Sequence, residues 1–262
     1  MISYSARKSL GQHFLTDQRV LGQITAALQL IPGCKYVEIG PGLGALTQHV
    51  LPLVPELTVI EFDQHIIPEL EKNCAGLGKL QITPADVLTV DFKTLAQGQR
   101  LQVFGNLPYN ISTPILFHLL EYAELIEDMC FMLQEEVVDR MVADPNSKTY
   151  GRLSVMLQYY CDMHKLFTVA PNAFHPPPKV YSAVVRLIPK RNLDPHFNRK
   201  LFADIVNHAF QQRRKTIHNS LKSMVNTEAL VSANINPQAR AENLSVDDYV
   251  RLVNYSHAHR LL

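Results

Sequence analysis

Four consecutive residues, Asn106-Leu107-Pro108-Tyr109, combine a side-chain amide, backbone carbonyls freed by a proline turn, and an aromatic ring. Such a set suits an amine conjugated to a planar ring. The lone pair of an exocyclic ring amine is delocalised, so the nitrogen is a poor nucleophile until acceptors hold its protons and favour a pyramidal geometry. The Asn106 side-chain carbonyl and the Leu107 main-chain carbonyl are two such acceptors. Tyr109 offers a stacking face for a flipped-out base, worth roughly 1 to 3 kcal/mol. Chemistry at such a site is positioning. It needs neither a metal nor a strong general base, because an ammonium-like product loses its proton readily.

A second motif, Glu38-Ile39-Gly40-Pro41-Gly42-Leu43-Gly44, stands where a strand pattern gives way to a helix. Its glycines let the backbone turn sharply and approach a ligand closely. The spacing differs from the dinucleotide fingerprint, whose third glycine would fall at Ala45. Glu61, about twenty positions on, ends the next strand pattern, where a carboxylate can accept from both hydroxyls of a ribose. Asp86, in Pro84-Ala85-Asp86-Val87, follows the third strand and can receive an adenine amino group, with Val87 or Ile82 packing beside the ring. Any one of these acids alone reads equally as a helix cap or a solvated strand end. As a series after consecutive strands they point to an adenosine-containing cofactor. With the Asn106 turn, the chemistry they support is methyl transfer from S-adenosylmethionine to the N6 amine of adenine.

The elements that must hold these residues are legible as an alternation. Strand patterns at 36–40, 57–61, 80–83 and 101–104 alternate with helical patterns at 46–53 and 66–73. Short apolar strands of this kind are those of a mostly parallel sheet, at whose carboxyl edge Gly40, Gly42, Glu61, Asp86 and Asn106 would converge. A helix over 115–122, an apolar run at 129–133, helical spacing at 153–160 and a strand over 182–188 complete the alternation. Pro176-Pro177-Pro178 forces an extended loop. Beyond the proline-bounded stretch 189–195 the pattern is helical, with starts near His196, Gln211, Thr227 and Ser245. The expected fold is α/β: a Rossmann-like methyltransferase domain over 1–191, including an N-terminal arm over 1–20, and a small all-helical domain over 192–262.

The 262 residues carry a formal net charge of only +1, and this conceals an asymmetry. Residues 35–140 hold 6 Lys/Arg against 15 Asp/Glu, whereas 165–222 hold 11 against 2, a swing from −9 to +9. A basic stretch is as often a solvated face as a polyanion site. Beside an adenine-directed turn it points to RNA, and Arg213, Arg214 and Lys215, which open a helical pattern, are the candidate phosphate contacts. Cys34, Cys74, Cys130 and Cys161 lack paired spacing and read as reduced structural thiols, and the histidines lack metal-ligand spacing. No apolar run nears the ~20 residues of a membrane span, and the N-terminus is too polar for a signal peptide, so a cytoplasmic, membrane-free protein is expected.

These motifs resemble, over nearly the whole chain, the KsgA-type small-subunit ribosomal RNA adenine dimethyltransferases. Beyond the glycine loop and the Asn-Leu-Pro-Tyr turn, the resemblance rests on 7–15 (Arg-Lys-Ser-Leu-Gly-Gln-His-Phe-Leu), on 146–154 and on 174–180 (Phe-His-Pro-Pro-Pro-Lys-Val). It ends on 210–216 (Phe-Gln-Gln-Arg-Arg-Lys-Thr). It implies S-adenosylmethionine as cofactor and two adjacent adenosines near the 3′ end of 16S RNA, within the small subunit or its precursor, as substrate. It also implies that His13 and Leu15 contact the methionine end of the cofactor, and that Phe174 closes on the target base opposite Tyr109. His13 is a departure, since the family often has Asn there.

Two other readings share parts of the pattern. A nicotinamide-dependent oxidoreductase would use the glycine turn and Glu61 but leaves 106–109 unexplained. A non-catalytic ribosome-assembly or transcription factor built on the same fold would not need an intact Asn-Leu-Pro-Tyr. The Erm-type large-subunit RNA methyltransferases are nearest in chemistry, but Leu107, the triple proline and Gln-Arg-Arg-Lys favour the small-subunit type.

Overall fold

The computed structural model describes residues 12–259. Arg7 and Lys8 of the basic N-terminal motif, and with them the first part of the expected arm, lie outside the described residues. The chain divides into two compact units, one of 1–138 with 163–189 and the other of 139–162 with 190–262.

The first unit is built on a seven-stranded sheet. Its parallel strands are β2 (Lys35–Ile39), β3 (Leu57–Glu61), β4 (Leu80–Pro84), β5 (Leu101–Asn106) and β6 (Ile126–Gln134). Two more strands, β9 (Ser182–Pro189) and β7 (Cys161–Val169), complete the order β4-β3-β2-β5-β6-β9-β7, with β9 antiparallel to β6. The inner strands are continuous apolar runs because helices cover both faces, and all five residues of β3 are buried. The covering helices include α1 (Gln18–Ala27), α2 (Ala45–Val50), α3 (Ile67–Cys74), α4 (Phe92–Ala96) and α5 (Ser112–Leu120). Asp17 caps α1 by accepting from the amides of Arg19 and Val20, which fixes where the arm ends and the helix begins. Pro114 does not start α5 but sits inside its first turn, where the missing N–H has no helical partner to lose.

Three strands escape the sequence reading. β1 (Phe14–Leu15) pairs antiparallel with β8 (Phe174–His175), joining the arm to the loop before the triple proline. β7 is an edge strand, and its exposed Asp162, His164, Lys165 and Thr168 interrupt any apolar run.

At the amino end of the sheet a buried polar network ties α1 down. Gln102, 1% exposed, donates to the Leu28 carbonyl (2.6 Å) and to Asp128 (3.1 Å), and accepts from the Ile31 amide (3.0 Å). Arg186 closes the network on Asp128 at 2.7 Å and also reaches Gln29.

After α6 (Glu135–Met141), the second unit is helical: α7 (Arg152–Tyr160), α8 (Arg199–Gln211), α9 (Ile217–Leu221), α10 (Thr227–Ser232) and α11 (Val246–Ala258). The chain was expected to divide once, between 191 and 192. The structure instead assigns 139–162 to the helical unit, because the apolar face of α7 finds its partners there. Tyr159 lies 4.9 Å from Phe197 and 4.7 Å from Phe202 between ring centres. Periodicity names the buried face of a helix but not the body it is buried against.

Candidate active site

The sharp turns after β2, β3, β4 and β5 meet at one end of the sheet around a cavity of about 550 Å³. Gly40, Gly42, Glu61, Asp86, Asn106, Leu107, Pro108 and Tyr109 all line it, as do His13 and Leu15 from the arm. Two of the glycines are there for their backbone. Gly40 and Gly42 have φ of +66° and +57°, a region that side chains strain. A Cβ at Gly40 would lie 3.8 Å from the Asn106 carbonyl and 3.9 Å from the Pro108 ring, ordinary contact distances, so the left-handed backbone rather than space asks for glycine here. A Cβ at Gly42 would meet the Phe14 ring at 3.1 Å.

The acids are held before any ligand arrives. Glu61, 6% exposed, accepts from the Gly42 amide (3.1 Å) and the Asp63 amide (2.8 Å). Burial raises its proton affinity above the usual carboxylate range, and those two amides oppose the rise. Glu38, 1% exposed on β2, is lifted by burial to about 8, although the Thr47 hydroxyl donates to it at 2.7 Å. Asp86 uses one oxygen to cap the turn at the Leu88 amide, 3.0 Å away. Neither Lys nor Arg occurs among the described lining residues, so Glu61 and Asp86 face a cavity without a fixed cation, with Glu38 held protonated beside them. Such a lining favours a ligand with positive charge over one with a pyrophosphate.

Asn106 is oriented by the arm. Its amide nitrogen donates to the His13 carbonyl at 3.2 Å, which leaves the side-chain oxygen as the acceptor presented to the cavity. No described residue donates to the Leu107 carbonyl, and the Leu107 amide is anchored on Met132 at 3.1 Å. The Tyr109 hydroxyl meets the Ser182 hydroxyl at 2.6 Å, fixing the ring from β9, and burial raises its proton affinity. The His13 ring lies 5.6 Å from that of Tyr109 at an interplanar angle of 27°. Its Nδ1 is 2.7 Å from the carbonyl of Pro176, and since a carbonyl only accepts, Nδ1 carries the proton. The contact His13 makes to Asn106 therefore comes from its backbone, which Asn in its place would also supply.

Other expected positions fall elsewhere. Phe174 does not line the cavity: its ring, 3% exposed, is in the core with Leu15, Leu21 and Ile24, and its backbone pairs with Leu15. Ile82 packs against the same core, and Val87 alone of the two expected ring neighbours reaches the cavity. Arg213 is engaged inside the helical unit, on Glu242 at 2.8 Å and on the carbonyls of Lys148 (2.6 Å) and Tyr150 (3.1 Å). Arg214 and Lys215 beside it are exposed. Nor is the +9 stretch a single open face, since Lys165, Arg186, Lys190 and Arg213 are paired with Glu135, Asp128, Asp162 and Glu242. Among the described residues no helix is long and apolar enough to cross a membrane, and no cluster of His, Cys, Asp or Glu could hold a metal ion.

Several lining residues were not singled out from sequence. Phe62, 60% exposed, follows Glu61, and Gln12 and Phe14 flank His13. Their adjacency to chosen residues was the available signal. The Tyr109–Ser182 bond, spanning 73 positions, has no local signature.

The family model described as ribosomal RNA adenine dimethylase matches residues 3–258. The chain is 52% identical over 257 residues to ribosomal RNA small subunit methyltransferase A of Xanthomonas oryzae pv. oryzae, covering 98% of each. It is 53% identical over 253 residues to the same-named protein of Xanthomonas campestris pv. campestris, covering 96% of this chain and 97% of the other. Among solved structures it is similar to a dimethyladenosine transferase from Plasmodium falciparum, with a TM-score of 0.82 and 26% identity over 94% of this chain and 98% of that one. It is also similar to the 23S rRNA methyltransferase ErmE, with a TM-score of 0.72 and 25% identity over 92% of this chain and 98% of that one.

Proposed function

The chain belongs to the ribosomal RNA adenine dimethylase family, and from that premise we propose that it dimethylates the N6 amines of two adjacent adenosines near the 3′ end of 16S RNA. The substrate is the small ribosomal subunit or its precursor, and the reaction serves subunit biogenesis in the cytoplasm. S-adenosylmethionine supplies an electrophilic sulfonium methyl when bound. The carrying observation is that one cavity unites the glycine loop, three acids and the Asn106 turn, with the Asn106 amide already set to accept.

The residues then divide the work. Glu61 holds the ribose and Asp86 the adenine amino group of the cofactor, with Val87 beside its ring; the acidic, cation-free lining fits a positively charged cofactor. Leu15 and the His13 backbone bound the methionine end. On the substrate side, the Asn106 side-chain oxygen and the Leu107 carbonyl accept the two N6 protons, which returns the lone pair to nitrogen. Tyr109, fixed by Ser182, stacks on the base, while Pro108 turns the Leu107 carbonyl out of the sheet ladder. Phe174 contributes by holding Leu15, and with it the arm.

The test is to incubate the protein with under-methylated small subunits and labelled S-adenosylmethionine, then map the modified RNA by mass. Two adjacent dimethyladenosines are expected. Label on large-subunit RNA, or binding of subunits without transfer, would overturn the reading. A thermal-shift comparison should show stabilisation by S-adenosylhomocysteine and none by NAD.

A further inference from the structure

Tyr109 is anchored at two points that leave one freedom open. Its hydroxyl meets that of Ser182 at 2.6 Å, but the hydroxyl oxygen and Cβ both lie on the long axis of the ring. Anchors on an axis do not stop rotation about it, so the tilt of the ring plane is set by what lies against its face. Among the described residues, the ring placed there is that of His13, with centres 5.6 Å apart and planes 27° apart, an offset-stacked pair. The imidazole has a stop of its own. Its Nδ1 lies off the Cβ–Cγ axis, and the N–H there donates to the Pro176 carbonyl at 2.7 Å, which fixes the rotation of that ring. The acceptor is in turn placed by backbone pairing. Phe14 faces His175 and Leu15 faces Phe174 in the two-stranded sheet, so His13 and Pro176 are the next opposed pair. From the ladder to Pro176, to His13, to Tyr109, each orientation is set by the one before. Where the family often has Asn, this chain has a ring at the link.

We propose that the side chain of His13 is a positioning residue for the target base: it holds the plane of Tyr109 and, through it, the plane of the adenine stacked there. This rests on the N6-directed reading above and deepens it by assigning the arm's imidazole to the substrate side, while its backbone carbonyl serves Asn106. A stacked base lies parallel to the ring it rests on. A tilt of Tyr109 therefore swings the N6 amine, at the edge of the base, away from the Asn106 side-chain oxygen and the Leu107 carbonyl. In-line transfer tolerates little such error. Loss of the brace slows the methyl-transfer step and leaves both binding steps nearly intact. The cofactor is held by other residues, Glu61 and Asp86 among them, and the subunit by a surface much larger than one base.

The variant that tests this is His13→Asn, which keeps the backbone carbonyl and a donor for Pro176 but brings no ring. With small subunits carrying unmethylated 16S RNA, kcat should fall about tenfold. KM for the subunits and the dissociation constant of S-adenosylhomocysteine should each change by less than about twofold. In a Tyr109→Leu background the same change should cost nothing further, because no ring is left to hold. A spectroscopic signature is read without RNA, in ligand-free protein carrying ring-labelled tyrosine. The Tyr109 signal, assigned by its loss in Tyr109→Phe, should move on His13→Asn as the imidazole ring current is withdrawn. Wild-type kcat in His13→Asn, an equal loss in the Tyr109→Leu background, a matching loss of S-adenosylhomocysteine affinity, or an unmoved Tyr109 signal would each overturn the proposal. Thermal midpoints check folding, and His13→Gln, longer by one methylene, takes the place of His13→Asn if that variant does not fold. Wild-type protein that leaves these subunits unmethylated would overturn the proposed reaction, and with it the alignment of the base. Transfer by the wild type with an unmoved Tyr109 signal in the variant would overturn the brace alone.

Discussion

Asn106 is the residue on which turnover should depend most. Removing its side-chain oxygen leaves the cavity and the acids in place, so Asn106→Ala should cut kcat by at least two orders of magnitude while cofactor affinity, read by calorimetry, changes far less. Equal losses in both would argue against its role at N6. Tyr109→Phe keeps the stacking face and gives up only the bond to Ser182, so it should retain much more activity than Tyr109→Ala. Glu38 gives a pH signature. Its carboxyl is lifted from 4.5 to about 8, so across that interval the folded chain holds a proton that the unfolded chain has released. Stability from this source is full below about 4.5 and is lost as pH rises toward 8. Glu38→Gln should therefore raise the melting temperature of the ligand-free protein increasingly from pH 5 to pH 8, and a gain that is flat with pH would refute the assignment. Residue types and spacing were enough to bring Gly40, Glu61, Asp86 and Asn106 to one cavity, because each ends or closely follows a strand and strand ends converge. They could not show that Phe174 is core or that Arg213 is spoken for, since both facts depend on partners far along the chain.

At the level of elements, the two-residue strand β1 does more than its length suggests. It seats Phe14 on the glycine loop and Leu15 in the core, and Phe14 comes so close to Gly42 that a methyl group there, at 3.1 Å, would push the ring back by a few tenths of an ångström. Gly42→Ala combines this contact with a left-handed φ, and should cost about 1 to 3 kcal/mol in stability and weaken cofactor binding severalfold by lifting the arm. The buried network at the far end of the sheet supports the same arm through α1. Arg186→Met leaves Asp128 buried without its cation and should destabilise by about 3 to 5 kcal/mol in denaturant melts, with little direct effect on the cavity. Strands β2 to β6 and β9 were readable as apolar runs. The strands β1, β7 and β8 were not, because two are too short to show a period and the third carries the polar residues of an edge.

For the whole molecule, the chain passes between the units three times rather than once, at 138/139, 162/163 and 189/190, so neither unit is a continuous length of chain. Truncation near residue 190 would remove α8 and strand the buried aromatic face of α7, and is expected to yield aggregated protein rather than a free catalytic domain. Free adenosine and short oligonucleotides should be poor substrates, because shape and phosphate of a folded ribosomal surface, not one base, supply the affinity. Comparable transfer to a short oligonucleotide and to the subunit would contradict this. The bond from Asn106 to the His13 carbonyl finally bears on the order of events. Each adenosine has to be visited twice, with spent cofactor replaced between visits. On the proposed mechanism, any excursion of residues 12–16 that breaks this bond also frees the Asn106 amide to rotate, which sets an open arm against a reactive centre. In that mechanism the arm serves as an interlock, keeping the centre idle while its reagent is exchanged.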